Sequence, residues 1–321
     1  MALRPHAKTH KSPEIARLQL SHGAAGLTVA TIGEAEVLAQ HGCTDLFVAY
    51  PLHLDERAAD RLAALARRGR IAIGVDSVAA AARAGRLVAP SGVEVVVEVD
   101  CGQHRTGCPP ELAGAVALAG ARAGLTVRGV FTFPGHSYAP DAVASAAADE
   151  ARALAAARAA VEAEGLEVSV VSGGSTPSLG ALDTGVVTEA RPGVYVFGDA
   201  QQWELGTMAP ESIALTCRAT VVSHSGGRAV LDSGGKALAA DRAPFSTGAG
   251  RLLQHPDARI VHLSEHHAVV DLAGAPLPAV GEQVDVVPNH CCAAVNLADA
   301  LWVEEAGVLR SWPVAARGRN G

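Results

Sequence analysis

Apolar strand-like runs alternate with helix-forming segments from residue 1 to about residue 200. The runs are short and rich in Val, Ile and Leu, whereas the segments between them are rich in Ala and Leu and carry apolar residues at helical spacing. Such alternation is typical of parallel β-strands joined by crossover helices. The pattern predicts eight strands, at residues 3–7, 27–30, 45–49, 71–75, 93–99, 127–133, 168–171 and 194–197.

Helices between these strands are predicted to begin near Ser12, Ile32, Asp55, Ser77, Pro110, Asp141 and Ser178. In Ser12-Pro13, serine takes the N-cap position and proline the first helical position. Eight strand–helix units favour a closed, TIM-like (β/α)8 barrel, although an open doubly wound sheet shows the same alternation. In a barrel, the catalytic groups are expected at the C-terminal ends of the strands.

The pattern changes after about residue 205, where strand-like runs are separated by Gly, Pro and Asp turns. These strands are predicted at 214–223, 228–232, 260–263, 268–272, 283–288 and 309–314. The sequence therefore predicts an α/β barrel over residues 1–204, followed by a C-terminal all-β domain over residues 205–321.

Composition excludes several classes of protein. The formal net charge is −7 and no lysine-rich run occurs, so a nucleic-acid partner is not expected. No apolar run approaches the roughly 20 residues of a membrane span, and the start lacks a secretory pattern. We expect a cytoplasmic protein without a membrane partner, whose six cysteines are reduced.

Lysine is rare in this chain, with three residues against twenty-three arginines, and two of the three lie at positions 8 and 11. A buried ammonium group can lose its proton, whereas a guanidinium group effectively cannot, and a neutral amine is needed for a Schiff base to an aldehyde cofactor. If the segment is a strand, Arg4, His6, Lys8 and His10 share one face. The alternative is a frayed N-terminus with solvated charges.

Two glycine-containing turns are candidates for binding a phosphate group. Residues 172–178 read Ser-Gly-Gly-Ser-Thr-Pro-Ser and lie between a predicted strand and a predicted helix, where backbone amides point at an anion. Residues 191–195 read Arg-Pro-Gly-Val-Tyr and follow one unit later. Phosphate sites at this part of a barrel are common, although each turn alone is also compatible with an ordinary loop.

A third candidate site is His290-Cys291-Cys292, which follows the predicted strand at 283–288. On an extended segment, residues i and i+2 face the same way, so His290 and Cys292 would share a metal ion while Cys291 packs inside. Imidazole and thiolate suit zinc, and two protein ligands leave positions for water and substrate. Cysteines that are simply buried are the alternative.

Together these motifs resemble the D-threonine aldolase and D-serine dehydratase family, along essentially the whole chain and in the same order. The resemblance is carried by residues 4–11, 172–177, 191–195, 231–238 and 288–292, with Asn296. Residues 4–11 form the most specific of these motifs. The resemblance implies the alanine racemase fold, in which a barrel that binds pyridoxal phosphate precedes a β-domain.

The resemblance also implies a role for each matched residue. Lys8 would hold pyridoxal phosphate as a Schiff base and would remove the α-proton of the substrate. The phosphate group would be bound, largely through the backbone, by Gly174, Ser175, Thr176, Gly193 and Val194. Arg105 and Tyr195 match polar positions around the cofactor.

The metal motif of the family matches His290 and Cys292. Aldolases of the family carry His-x-Asp here, so His-x-Cys is similar to the zinc-dependent dehydratases, and a thiolate favours Zn²⁺ over Mn²⁺ or Mg²⁺. The implied function is a lyase that eliminates water from a 3-hydroxy-D-amino acid, such as D-serine, to give a 2-oxo acid and ammonia. The alternatives are D-threonine aldolase-type cleavage with Mn²⁺ or Mg²⁺, an amino-acid racemase, or a non-catalytic pyridoxal-phosphate-binding protein.

Two further expectations follow from the resemblance. The partner would be a small D-amino acid substrate, and we expect a homodimer. Members of the family normally begin some tens of residues earlier, so we expect either a misassigned start site or a truncated chain.

Overall fold

A computed structural model describes residues 1–321 and divides them into two compact units. The first unit comprises residues 1–193 together with 318–321, and the second comprises residues 194–317. The change in sequence character at 204/205 therefore lies inside the second unit.

Eight parallel strands form the sheet of the first unit: β1 Ala2–Leu3, β2 Leu27–Val29, β3 Asp45–Pro51, β4 Arg70–Val75, β5 Glu94–Glu98, β6 Val127–Phe131, β7 Val170–Gly173 and β8 Glu189–Ala190. Their order is β1-β8-β7-β6-β5-β4-β3-β2. A parallel bridge between His6 and Thr28 joins the segment after β1 to β2 and closes the ring. The prediction of a TIM-like barrel is confirmed.

Six helices surround the barrel: α1 Pro13–Ser21, α2 Ile32–Gln40, α3 Glu56–Ala66, α4 Val78–Val88, α5 Ala113–Arg122 and α6 Val143–Ala163. Three of them begin as their capping residues predict, because the side chains of Thr31, Asp55 and Ser77 each accept a hydrogen bond from the first turn. Short 3₁₀ helices occupy Ala7–Thr9, Ala89–Ser91, Pro110–Leu112, Gly135–Ser137 and Leu179–Ala181.

Strand residues alternate between two hydrophobic layers. Val95 and Val97 pack with the helices in the main core. Phe47, Val96 and Phe131 form a separate cluster inside the ring, where the two phenyl rings meet edge to face with centroids 4.9 Å apart. The barrel is thus filled by side chains, as the period of two along each strand requires.

Two predictions about the barrel elements were wrong. Residues 194–197 are not the eighth strand, because Val194–Val196 is a 3₁₀ helix and the strand is the short pair Glu189–Ala190. Glu189 in this strand is buried, and its Oε2 accepts a hydrogen bond from Arg4 Nε at 2.7 Å. Because one of its two residues is charged, the strand gave no hydrophobic signal in the sequence. The helix predicted from Ser178 is only the 3₁₀ turn Leu179–Ala181.

The second unit contains eight strands: β9 Cys217–Ser225, β10 Arg228–Leu231, β11 Arg251–Leu252, β12 Arg259–Leu263, β13 Ala268–Asp271, β14 Gln283–Val287, β15 Ala300–Glu305 and β16 Val308–Pro313. Six of them form an antiparallel sheet in the order β11-β14-β9-β10-β13-β12, and β15 pairs with β16. The short strand β11 and the strand β15 were not predicted.

The second unit is built around the antiparallel sheet, so the prediction of a C-terminal β-domain is confirmed, although short helices are present as well. It contains the helices α7 Ala200–Glu204, α8 Gly235–Leu238 and α9 Cys291–Leu297, as well as the 3₁₀ helices Val194–Val196 and Pro210–Ser212. No helix anywhere in the structure combines the length and the apolar character needed to cross a bilayer.

Candidate active site

Lys8 lies in the middle of the 3₁₀ turn Ala7–Thr9 and not on a strand, so the prediction of one face shared by alternate residues was wrong. Histidines anchor the turn on both sides. His6 Nδ1 accepts a hydrogen bond from Lys8 N at 3.4 Å, and His10 Nδ1 accepts one from Ser12 N at 3.1 Å. Both imidazole rings are buried, so the lysine is carried on a turn whose backbone is held from inside the protein.

The Lys8 side chain lies over an aromatic ring. Its Nζ is 6.0 Å from the centroid of Phe133, and Arg105 Cζ is 5.5 Å from the same centroid. The other two lysines form ion pairs, Lys11 with Glu34 at 3.3 Å and Lys236 with an exposed glutamate at 2.9 Å. Lys8 forms no ion pair, so no carboxylate neutralises this amine.

Positive charge is concentrated around this turn. Burial lowers the pKa of His6 well below its ordinary value, and the charges of Lys8 and Arg191 lower that pKa further. His6 is therefore a neutral imidazole, which agrees with its role as an acceptor for the Lys8 amide. The cationic side chains of Lys8, Arg105 and Arg191 favour an anionic ligand.

Arg105 comes from the loop after β5, which a single carboxylate organises. Asp100 Oδ1 accepts hydrogen bonds from Gly102 N at 2.9 Å and His104 N at 3.0 Å, and Oδ2 lies 2.7 Å from His104 Nδ1. Burial raises the pKa of Asp100, but these hydrogen bonds outweigh it and lower the pKa overall. The carboxylate therefore stays ionised and fixes the loop that presents Arg105.

The glycine turn after β7 is held by its own hydrogen bonds. Gly174 has a φ of +80°, which favours glycine, and its N donates to Glu150 Oε1 at 2.6 Å. Ser175 N donates to Ser178 Oγ at 3.0 Å, and Ser175 Oγ lies 2.8 Å from Ser137 Oγ. Two of the amides predicted to bind phosphate therefore have partners within the protein. No α-helix follows the turn, so the predicted contribution of a helix N-terminus is absent.

Gly193 is required by close approach. A Cβ at this position would lie 2.7 Å from Thr9 Oγ1 and 3.3 Å from His6 Cβ, so the backbone of Gly193 packs against the lysine turn. A Cβ at Gly174 would lie 3.7 Å from Arg191 N, just beyond β8. The lysine turn, the glycine turn and the end of β8 are therefore adjacent at the C-terminal end of the barrel.

The remaining predicted residues near the cofactor have different surroundings. Thr176 is buried and follows Ser175 in the glycine turn. Val194 and Tyr195 begin the second unit in the 3₁₀ helix Val194–Val196, where Val194 is buried and Tyr195 is half-buried. The Val194 carbonyl accepts hydrogen bonds from the amides of Phe197 and Gly198, which fixes this turn.

The predicted metal-binding motif lies at the beginning of a helix and not on a strand. His290 is the N-cap of α9, and Cys291 and Cys292 are its first two residues. The two proposed ligands still meet, because a hydrogen bond joins His290 and Cys292. Cys291 is fully buried, as the sequence predicts. His290 and Cys292 are therefore neighbours, although the strand argument for their proximity was wrong, and their role as metal ligands stays a prediction.

Asp199 supports His290 and was missed by the sequence analysis. Its Oδ2 lies 3.0 Å from His290 Nδ1 and accepts a hydrogen bond from Cys291 N at 3.2 Å. Its Oδ1 accepts from Gln202 N at 2.9 Å, as the N-cap of α7. Metal-binding histidines commonly have such a carboxylate on the nitrogen opposite the metal. Local sequence marks Asp199 only as a cap, since its partner lies 91 residues away.

Electrostatics around His290 agree with a site for a cation. Burial lowers the pKa of His290, but hydrogen bonds with Asp199 and Cys292 more than offset it and raise the pKa to about 10. Burial raises the pKa of the nearby Asp241, and the charge of His290 partly opposes that effect. The structure contains no group of three or more potential metal ligands. The imidazole of His290 and the thiolate of Cys292 are ligand types that zinc prefers.

Comparison with known proteins identifies the family. Residues 2–201 match the family described as "Alanine racemase, N-terminal domain", and residues 214–303 match "Putative serine dehydratase domain". The chain is 34% identical to D-threo-3-hydroxyaspartate dehydratase from Delftia sp. (strain HT23), over 91% of this chain and 83% of that protein. It is 31% identical to D-threonine aldolase from Arthrobacter sp., over 99% of this chain and 86% of the aldolase.

The fold of the Delftia dehydratase matches this structure with a TM-score of 0.88 and 33% identity, over 98% of this chain and 90% of that one. That enzyme has also been solved as a variant with one histidine replaced by alanine and as a metal-free variant with one cysteine replaced by alanine. The two replaced residues are two positions apart, which is the spacing of His290 and Cys292.

The chain therefore belongs to the alanine racemase-like family of pyridoxal-phosphate enzymes that includes these dehydratases and aldolases. It is an enzyme of the lyase type found in that family. The family resemblance inferred from the motifs is confirmed.

Proposed function

We propose that this enzyme uses pyridoxal phosphate and zinc to eliminate water from a 3-hydroxy-D-amino acid, with conversion of D-serine to pyruvate and ammonia as the type reaction. The observation that carries the proposal is the pair of His290 and Cys292 supported by Asp199. A thiolate ligand favours zinc. The relative with 34% identity is a dehydratase for D-threo-3-hydroxyaspartate, which supports this substrate class.

The barrel residues fit pyridoxal phosphate. Lys8 supplies an amine without a carboxylate partner, and the positive charges of Lys8, Arg105 and Arg191 suit an anionic phosphate group. Gly193 packs directly against the lysine turn and so brings the end of the barrel next to this amine. When bound, the cofactor supplies an electron sink for negative charge at the substrate α-carbon. We propose that Thr176, Gly193 and Val194 bind its phosphate group, that Gly174 and Ser175, whose amides are paired within the protein, shape the turn around it, and that Arg105 and Tyr195 lie around the ring.

Within this proposal, Lys8 would hold the cofactor through its Nζ, and the same nitrogen would accept the α-proton once the substrate amine has displaced it. The amine needs a fixed position for that transfer, and the hydrogen bond from Lys8 N to His6 provides it. Because His6 is neutral, it adds no positive charge next to the lysine. The charged ends of Lys8 and Arg105 both lie over the Phe133 ring, 6.0 and 5.5 Å from its centroid.

His290 and Cys292 are proposed to hold zinc, which supplies a Lewis acid for departure of the β-hydroxyl group. Asp199 binds His290 Nδ1, so Nε2 is the nitrogen that would bind the metal. The buried Asp199 in turn is held by the amides of Cys291 and Gln202. Each proposed ligand is therefore positioned by groups of the same unit.

The decisive experiment is product analysis. Purified protein with pyridoxal phosphate and zinc is incubated with D-serine, D-threonine and 3-hydroxy-D-aspartate, and 2-oxo acids are separated from glycine and aldehydes. A 2-oxo acid with ammonia is expected from a 3-hydroxy-D-amino acid. Borohydride reduction should fix the cofactor to Lys8, and the adduct should be lost in Lys8→Ala but kept in the control Lys236→Ala. An adduct that persists in Lys8→Ala contradicts the assignment.

D-threonine aldolase-type cleavage is the second candidate, since an aldolase with 31% identity aligns with 99% of this chain. It would yield glycine and an aldehyde in the same assay, with Mn²⁺ or Mg²⁺ as the activating ion. Activity that survives a strong chelator would instead favour a racemase, because that reaction needs no metal ion.

A further inference from the structure

A buried carboxyl group lies directly beneath the glycine turn. Glu150, on α6, is fully buried, and its Oε1 accepts the hydrogen bond from Gly174 N at 2.6 Å. The same oxygen contacts the position that a Cβ of Gly173 would take, so both glycines pack against this carboxyl group. The contact with Glu150 therefore explains why glycines occupy this turn, whether or not a ligand binds above it.

The second oxygen of Glu150 has no hydrogen-bond partner in the protein, although it is buried. An ionised carboxylate with one unpaired buried oxygen is unfavourable, whereas the neutral acid needs less solvation. Burial accordingly raises the pKa of Glu150 to about 7, even though Gly174 N and Arg191 favour the ionised form. Geometry and electrostatics agree that this group gains or loses its proton near neutral pH.

Arg191 is the positive charge that acts on Glu150. The titratable groups on neighbouring elements are Arg191 after β8 and Cys101 after β5. On α6 itself, the adjacent Asp149 forms ion pairs with His136 and Arg152. Burial raises the pKa of Cys101 to about 11, so this thiol is neutral at physiological pH. The charge of Arg191 also interacts with the carboxylates of Glu189 and Glu98, and its guanidinium group lies over the Phe131 ring. A second anion at the turn would therefore compete with ionised Glu150.

We propose that Glu150 is a positioning residue of the cofactor site, which holds Gly174 in place and is a neutral acid whenever the phosphate group of pyridoxal phosphate is bound. Cofactor binding above neutral pH then takes up one proton at Glu150. The inference rests on the proposed function, because it requires that the phosphate group lies at this turn. Its physical basis is that two anions in one site disfavour each other, so binding one promotes protonation of the other.

The test compares wild type with Glu150→Gln, which keeps an acceptor for Gly174 N but cannot ionise. Holoenzyme is dialysed to equilibrium against a series of pyridoxal phosphate concentrations between pH 6 and 8.5, in buffers without primary amines. The ratio of the wild-type dissociation constant to that of the variant cancels the ionisation of the free cofactor. This ratio should rise about tenfold from pH 6 to pH 8, since binding is coupled to one proton with a pKa near 7.

A matched control is Glu162→Gln, on the same helix but in an exposed ion pair with Arg158. This variant should show the wild-type pH dependence. A structural role alone would give Glu150→Gln a constant difference in affinity at all pH values, and that result overturns the proposal.

A second measurement does not depend on the variant being folded. Wild-type affinity for pyridoxal, which has no phosphate group, should lack the additional loss of affinity above pH 7. Parallel pH profiles for pyridoxal and pyridoxal phosphate would contradict the proposal. If wild type shows neither saturable cofactor binding nor a borohydride adduct, the proposed function fails first, so the two failures are distinguishable.

Discussion

Replacing Gly193 by alanine tests whether the contact between the end of the barrel and the lysine turn matters for catalysis. The new Cβ would lie 2.7 Å from Thr9 Oγ1, so the two groups must separate by about 0.7 Å to reach an ordinary contact of 3.4 Å. Thr9 is fully buried and cannot turn into solvent. The displacement therefore passes to the backbone that carries Lys8.

Overpacking of this kind costs about 1–3 kcal/mol of unfolding free energy. The functional effect should be larger, because a displacement of about 1 Å at a reacting group lowers rates on the order of 100-fold. We expect Gly193→Ala to reduce kcat by about that factor and to weaken pyridoxal phosphate binding. Chemical denaturation, cofactor titration and steady-state kinetics measure the three effects.

Gly180→Ala is the matched control, because no atom lies within 4 Å of the Cβ it would add and its φ is not positive. Thr9→Ala in the Gly193→Ala background removes the clashing oxygen and should restore part of the lost affinity, as a double-mutant cycle would reveal. The reasoning is refuted if Gly193→Ala equals Gly180→Ala in stability, cofactor affinity and kcat.

Three further predictions concern the proposed metal site and the buried Glu150. Cys292→Ala should lower zinc content, measured by elemental analysis, and abolish elimination, whereas Cys217→Ala should do neither. Asp199→Ala should weaken zinc binding about 10- to 100-fold in chelator competition, because His290 loses the group that orients it; unchanged affinity would reject that role. For Glu150, burial raises the pKa from 4.5 to about 7, so native wild type binds this proton more tightly than unfolded chain and loses stability as pH rises through that interval. The loss should be on the order of 3 kcal/mol and absent from Glu150→Gln in denaturation curves recorded from pH 5 to pH 8.

The barrel was predictable because its longer strands and its helices carry strong periodic signals with capping residues at several helix starts. The eighth strand was missed because it is two residues long and contains a buried Glu189, whose partner Arg4 lies 185 residues away. A contact of that range leaves no trace in local hydrophobicity. The prediction moved the strand to residues 194–197, where an apolar run forms a 3₁₀ helix instead.

The candidate site shows the same limit. The rarity of lysine singled out Lys8, and spacing singled out the pair His290 and Cys292. The local geometry assumed for each was wrong, since Lys8 lies on a 3₁₀ turn and the pair lies at a helix start. Asp199 and Glu150 could not be selected from the sequence. Their partners are distant in the chain, and neither residue type is unusual at its position in a helix cap or on a helix.

The lysine turn has a consequence for acid tolerance. The two imidazoles on either side of Lys8 work as lone-pair acceptors for backbone amides, and protonation would turn each acceptor into a donor facing another donor. For His6, burial and neighbouring charge lower the pKa, so the stability that depends on the neutral ring is complete above pH 6.5 and declines as the medium is acidified further. Because the pKa of His6 is lowered well below its ordinary value, the neutral ring persists under mild acidification. The segment that presents Lys8 should therefore keep its geometry in weak acid and lose it only at a pH well below 6.5.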